Sequence, residues 1–320
     1  MKPILTFLKS LCFCNYRRIC ENLLFASSHN TYVETISSCA DTIHMNLDEW
    51  NISALQKEYE RLCVHEIRKL HLGLCDIIID ITEEDFYGKT QSMWIIPWTK
   101  EKGVEGHFKF LVCSVKCGDR KYPIAVRMIR LGSIISEEIG AVLDICKTAG
   151  IHINTVLMDR GFYAAEVLQE LQNQEVEYIV FAKKSKAFSN MLESVENSVI
   201  IEHEMVFSKK KSKYKVKTEI VLIKNVLKYD WVFATNTQLT GAEIVKKYRI
   251  RWNIETDFRM QDEARIKTKS IKPNIRLFYF IIPLLIFFVW KATQKSGITF
   301  KKFIIDLSRM KIVKRTIFFE

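Results

Sequence analysis

The stretch NTVLMDRGFYAAEVLQEL, residues 154–171, reads as a strand that stops on Asp159, a turn at Gly161 and an amphipathic helix. A second strand, EYIVFAK at 177–183, follows that helix. Strand, helix and strand in succession point to a mixed sheet with parallel members. Upstream, DIIIDIT from Asp76 is a short β-branched run of the kind that forms a buried strand, here ending on Asp80. HFKFLVCSVKCG and KYPIAVRMIRLG are two further strands, separated by the turn-prone pair Gly118-Asp119, which is a hairpin signal.

Between hairpin and Asp159 strand lies SEEIGAVLDICKTA, residues 136–149. The spacing predicts a helix capped by Ser136, with Ile139, Val142, Leu143 and Cys146 on its buried face and Gly150 at its end. Leu55, Tyr59, Leu62, Ile67 and Leu70 recur near the helical period, so residues 1–72 read as a helical N-terminal unit. Residues 73–300 form the principal domain, and 301–320 a basic C-terminal tail. Within that domain the alternating, Lys-rich segment of about 185–230, including KYKVKTEIVLI, reads as an inserted β subdomain. WVFATN is the last strand, followed by helix TGAEIVKKYRI and a further helix through Glu255.

Composition narrows the function. The 320 residues are 48% apolar and 27% charged, which excludes a disordered or fibrous chain. The net charge is +11, and the excess is concentrated. Lys183 to Lys228 holds 11 Lys/Arg against 5 Asp/Glu, and Lys246 to Arg276 holds 10 against 4, leaving the rest close to neutral. Basic residues gathered in two windows suit a polyanion, because they can reach one phosphate backbone together. Nine Cys without a CxxC pair, and a first segment broken by Lys9, read as a reduced cytoplasmic protein. Cys113 and Cys117 with His107 lack the second ligand pair of a zinc site and read as ordinary thiols. The apolar run Leu277 to Trp290 holds fourteen residues interrupted by Pro283, short of the ~20 that cross a bilayer, and reads as a core helix. Gly88-Lys89-Thr90 lacks the earlier glycine and following helix of a phosphate loop, so no nucleotide cofactor is expected.

Carboxylates at strand ends project into the crevice where open α/β sheets bind ligands. Asp80 and Asp159 are such residues, and Asp76, on the same strand face, competes with Asp80. Glu83, Glu84 and Asp85 lie just beyond and read equally well as solvated loop charges. Two or three convergent carboxylates hold divalent cations ~3.5–4 Å apart for in-line phosphoryl transfer, and hard oxygen ligands favour Mg²⁺ or Mn²⁺. In Tyr248-x-x-Arg251-x-x-x-Glu255 the spacing places three polar side chains on one helix face.

Strand-Asp80, DRGFY around Asp159 and YRIRWNIETDFR around Glu255, in that order, resemble the DDE transposases of insertion sequences over about residues 76 to 290. The resemblance implies a ribonuclease H-like α/β domain with a β insertion, in which Asp80, Asp159 and Glu255 bind Mg²⁺, with Mn²⁺ as a substitute. Tyr248 and Arg251 would contact phosphates of the transposon end, and Lys183, Lys184, Arg265 and Lys267 would add to the grip on DNA. It also implies a homodimer on paired inverted-repeat ends, with no membrane partner, associated with the nucleoid when bound. One position departs from the family's pattern. Asp262 stands where a lysine commonly follows the glutamate by seven, and Arg265 or Lys267 would supply that charge. The alternative is a decayed or repurposed transposase that binds DNA without cutting it.

Overall fold

The computed structural model describes residues 49–89, 92–98, 103–209, 212–252, 268, 270–293 and 298–308. Helix α1 (Ile52–Lys69) begins at Asn51, whose side chain accepts from the Ala54 amide at 2.8 Å. It leads into β1 (Leu74–Phe86), the short β2 (Ile96–Pro97) and the hairpin β3 (Gly106–Cys117)–β4 (Arg120–Ile129). That hairpin turns on Gly118-Asp119, as its sequence suggests, with Gly118 at φ +56°, a conformation glycine adopts without steric cost. Then come α2 (Ile135–Thr148), β5 (His152–Met158), α3 (Ala165–Asn173), β6 (Tyr178–Phe181), α4 (Lys186–Ser194) and the long pair β7 (Ser198–Lys209)–β8 (Ser212–Val226). Strand β9 (Tyr229–Thr235), α5 (Gly241–Tyr248), α6 (Pro273–Thr293) and α7 (Phe300–Ser308) complete the described elements.

The strands form one mixed sheet in the order β2-β3-β1-β5-β6-β9-β8-β7, with β4 also on β3. Strands β1, β5 and β6 are parallel neighbours, and β3, β4, β9, β8 and β7 add antiparallel partners on either side. The β-branched and aromatic runs of the central strands are buried on both faces, whereas Ile200 and Val206 of β7 are exposed. Helix α5 covers one patch, against Ile78, Leu157, Ile179 and Phe233. Helices α1, α2, α3 and α6 bury the larger core, in which Tyr59 of α1 donates to the Pro123 carbonyl at 2.6 Å and Phe110 stacks on Phe280 at 4.0 Å.

Three sequence expectations change. Strand β1 does not stop at Asp80 but runs on to Phe86, because β3 pairs with it up to Gly106 while β5 leaves it at Met158. Glu83, Glu84 and Asp85 therefore lie on the strand, not in a loop. Helix α2 is capped two residues earlier, at Ile134, with no side-chain cap, and Ser136 is buried in its first turn. The Lys-rich insertion forms the β7–β8 pair, and β8 also pairs with β9 and so extends the main sheet. Lastly, the apolar run belongs to a helix of 21 residues that continues through Pro283. Its most apolar stretch is long enough to cross a bilayer, yet 78% of that window is buried inside the protein.

Candidate active site

The parallel register of β1 and β5 builds the site. It pairs Ile79 with Met158, the last pair before the strands part, so Asp80 and Asp159 each follow directly on a paired residue at the same end of the parallel ladder. Asp159 leaves the strand and caps a 3₁₀ turn over Arg160–Phe162, its Oδ1 accepting from the Gly161 amide at 2.8 Å. A side chain at 161 would begin 3.0 Å from that oxygen, a tight contact with the carboxylate that glycine avoids. Asp80 Oδ1 accepts from the Ile81 amide at 3.0 Å, and Oδ2 from Arg251 Nη1 at 3.1 Å.

Helix α5 opens with a capping box between Thr240 and Glu243 and ends at Tyr248, where the chain tightens into a 3₁₀ turn over Arg249–Trp252. The further helix expected through Glu255 falls outside the described residues, as do Glu255, Asp262, Arg265 and Lys267 themselves. Tyr248 and Arg251 nevertheless meet as their spacing suggests: Arg251 Nε donates to Tyr248 Oη at 3.1 Å, and its guanidinium lies 5.4 Å from the ring centroid. Both side chains face inward. Tyr248 packs among Phe181, Trp231 and Phe233. Burial, above all, pushes its phenol up to about 12, so it stays a neutral hydroxyl. Burial also works against the charge of Arg251, but Tyr248 and Asp80 outweigh it and hold the guanidinium above its ordinary value.

Asp76, the competing acid, sits four residues before Asp80 and is bound differently. It accepts from Asn154 Nδ2 at 2.8 Å and pairs with Lys247 Nζ at 3.2 Å. Lys247 in the last turn of α5 and Arg251 in the 3₁₀ turn after it thus pin two carboxylates of one strand. Sequence reading did not single out Lys247 or Asn154, although the spacing of four between the two cations carried the signal. Lys183 and Lys184 are exposed just after β6, at the end of the sheet where Asp159 lies.

The remaining acids are engaged elsewhere. Glu83 pairs with Lys109 at 2.6 Å, Asp85 with His107 at 3.1 Å and Glu84 with Arg276 at 3.7 Å. Cys113 lies against Cys146, sulfur to sulfur 3.6 Å. Among the described residues, no three His, Cys, Asp or Glu side chains gather as a metal cluster.

A mixed sheet of this order, with two carboxylates where parallel strands part, defines a ribonuclease H-like fold of the DDE type. The chain belongs to the transposase DDE domain family, whose profile matches residues 121–282, about half its length. That match takes in Asp159, Tyr248, Arg251 and Glu255, while Asp80 lies ahead of it. Among solved structures, a piggyBac transposase in a synaptic complex with hairpin DNA superposes with a TM-score of 0.58. The superposition spans 97% of this chain and 71% of that one at 14% identity, a likeness of fold. The comparison with curated proteins returned no match.

Proposed function

We propose that this transposase cuts DNA at the ends of its own element and joins those ends to target DNA, with Asp80, Asp159 and Glu255 as the metal-binding carboxylates. The observation that carries the reading is the β1–β5 register, which pairs Ile79 with Met158, the residues just before Asp80 and Asp159. Two hard-oxygen donors on adjacent strands suit a divalent cation of the Mg²⁺ or Mn²⁺ kind. Bound there, such a cation supplies Lewis acidity to the attacking and leaving oxygens of an in-line displacement.

The chain's own residues do the rest. The Ile81 and Gly161 amides orient the two carboxylates. Arg251 pairs with Asp80 and contributes its guanidinium to a phosphate oxygen of the transposon end. Lys183, Lys184, the Lys-rich strands and the basic segment near Arg265 and Lys267 neutralise DNA backbone. Two copies on paired ends, in the cytoplasm, complete the reading, which the DNA bound in the piggyBac structure supports.

The test is cleavage of a labelled duplex carrying the gene's flanking DNA, with Mg²⁺ or Mn²⁺ and with EDTA. Metal-dependent nicking at the element boundary is expected, reduced at least about a thousandfold in Asp80→Asn, Asp159→Asn or Glu255→Gln, with duplex affinity kept within a few fold. Retained cleavage in any one variant removes that residue from the triad. Binding without cleavage by the natural protein favours the non-cutting alternative, and Asp262→Lys is then the variant to make.

A further inference from the structure

The ladder between β1 and β5 is not regular. Cys75 pairs with Ile153 and Asp76 with Thr155, which leaves Asn154 as an extra residue in β5, a bulge. Bulges are rare between parallel strands, and they re-aim the side chains around them. From there the two strands run in step to Ile79 and Met158.

That extra residue decides which face Asp159 takes. Side chains alternate along a strand, and a slip of one residue sends every one of them to the other face. With the bulge, Ile78 and Leu157 share the face covered by α5, in one cluster with Ile244, Val245 and Tyr248. Asp80 and Asp159 each lie two residues further on, and the extended backbone of Asp159 keeps it on that face, where Arg251 meets Asp80. A regular ladder continued from Cys75 and Ile153 would set Ile78 against Val156 and Asp80 against Met158. Asp159 would then turn away from α5.

Apolar burial does not choose between these registers. Val156, Leu157 and Met158 are all fully buried, so either face of the sheet accepts them. The bulged register even buries the Thr155 hydroxyl without a hydrogen-bond partner among the described residues, which costs stability. The polar contacts at the bulge act the other way. Asn154 Nδ2 donates to Asp76 Oδ1 at 2.8 Å, and Lys247 Nζ of α5 reaches the same oxygen at 3.2 Å.

We infer that Asn154 is a positioning residue: its bulge, fastened to Asp76 and Lys247, holds β5 in the phase that turns Asp159 to the face of Asp80. The consequence for metal binding rests on the reading of Asp80 and Asp159 as metal ligands. The phase itself does not.

The experiment reads phase and metal separately, on the full chain. Methyl NOEs in a sample labelled at Ile, Leu and Val report the register, through contact of Ile78 with Leu157 or with Val156, which now lies in the other core cluster. Binding of Mn²⁺ alone, followed by the EPR signal of the free ion, reports the carboxylates. The natural protein is expected to show the Ile78–Leu157 contact. Asn154→Val removes the amide and favours a regular strand. It should gain the Ile78–Val156 contact and bind Mn²⁺ about tenfold more weakly, the scale for a residue that orients metal ligands. Exchanging the pair, as Asp76→Asn with Asn154→Asp, keeps the hydrogen bond and a carboxylate for Lys247, and should restore both readouts. Asn154→Ala, milder than Val, is judged by the same readouts if Asn154→Val does not fold. A variant that loses stability in urea but keeps the natural contact and Mn²⁺ affinity makes Asn154 merely structural and overturns the inference. An Ile78–Val156 contact in the natural protein also overturns it. If the natural protein binds no Mn²⁺, the metal reading fails by itself, and the NOE comparison still decides the phase.

Discussion

Arg251 ties the two halves of the candidate site together. Its partner Asp80 lies 171 residues earlier in the chain, and Tyr248 three residues before it. Arg251→Ala leaves a largely buried carboxylate and phenol without their cation. The expected loss is about 3 kcal/mol of unfolding free energy, the scale for breaking a buried pair by removing one partner, read from urea denaturation. Arg251→Lys recovers only part, because an ammonium lacks the planar fork that reaches both groups. A loss below 1 kcal/mol in Arg251→Ala would show that Asp80 and Tyr248 are satisfied without it. The Tyr-x-x-Arg spacing made the local pair legible, whereas the ion pair to Asp80 was not, since nothing in a helix period names a distant strand.

At the scale of elements, the site depends on where α5 starts. Thr240 donates to and accepts from Glu243, closing a capping box that sets the phase of Lys247 and Arg251 over β1. The hydroxyl and backbone N–H of Thr240 hold the Glu243 carboxyl below its ordinary value. A lowered acid stabilises the fold above its unfolded value and loses that contribution as pH falls through the folded one. Thr240→Ala is expected to cost about 1 kcal/mol near neutral pH. The difference from the natural protein should shrink in acid, and a gap that stays constant in denaturation curves below the carboxylate range would sink the account. Strand and helix identities were readable here, but boundaries were less so. Strand β1 outran its expected end at Asp80 because a partner strand from the following hairpin continues the ladder, and α2 began at Ile135 without the side-chain cap expected of Ser136.

Over the whole molecule, the positive charge has a shape. Lys213, Lys215 and Lys217 alternate along β8, all exposed, at about 6.7 Å intervals on one face. Lys215 also pairs with Glu204 at 2.8 Å, so part of its charge is already met. Replacing the three with Ala should lower the slope of log affinity against log salt for duplex DNA by about 2 to 3. It should leave metal-dependent nicking unchanged at saturating protein. An unchanged slope would place the DNA path elsewhere, with Lys183 and Lys184 as the next substitutions.

The sequence by itself determined what depends on one element at a time. The hairpin at Gly118, the strand that delivers Asp159, the amphipathic face of α2, the buried nature of residues 277–290 and the two basic windows are all set by neighbours within a few turns. Tertiary structure alone decided the parallel register that pairs Ile79 with Met158, just before Asp80 and Asp159, and the pairing of the Lys-rich insertion with β9 in the main sheet. It also decided the bulge at Asn154 within that register. Those features arise from packing between segments far apart in the chain. Hydrophobic periodicity states which face of an element is buried, and it carries no record of what that face is buried against.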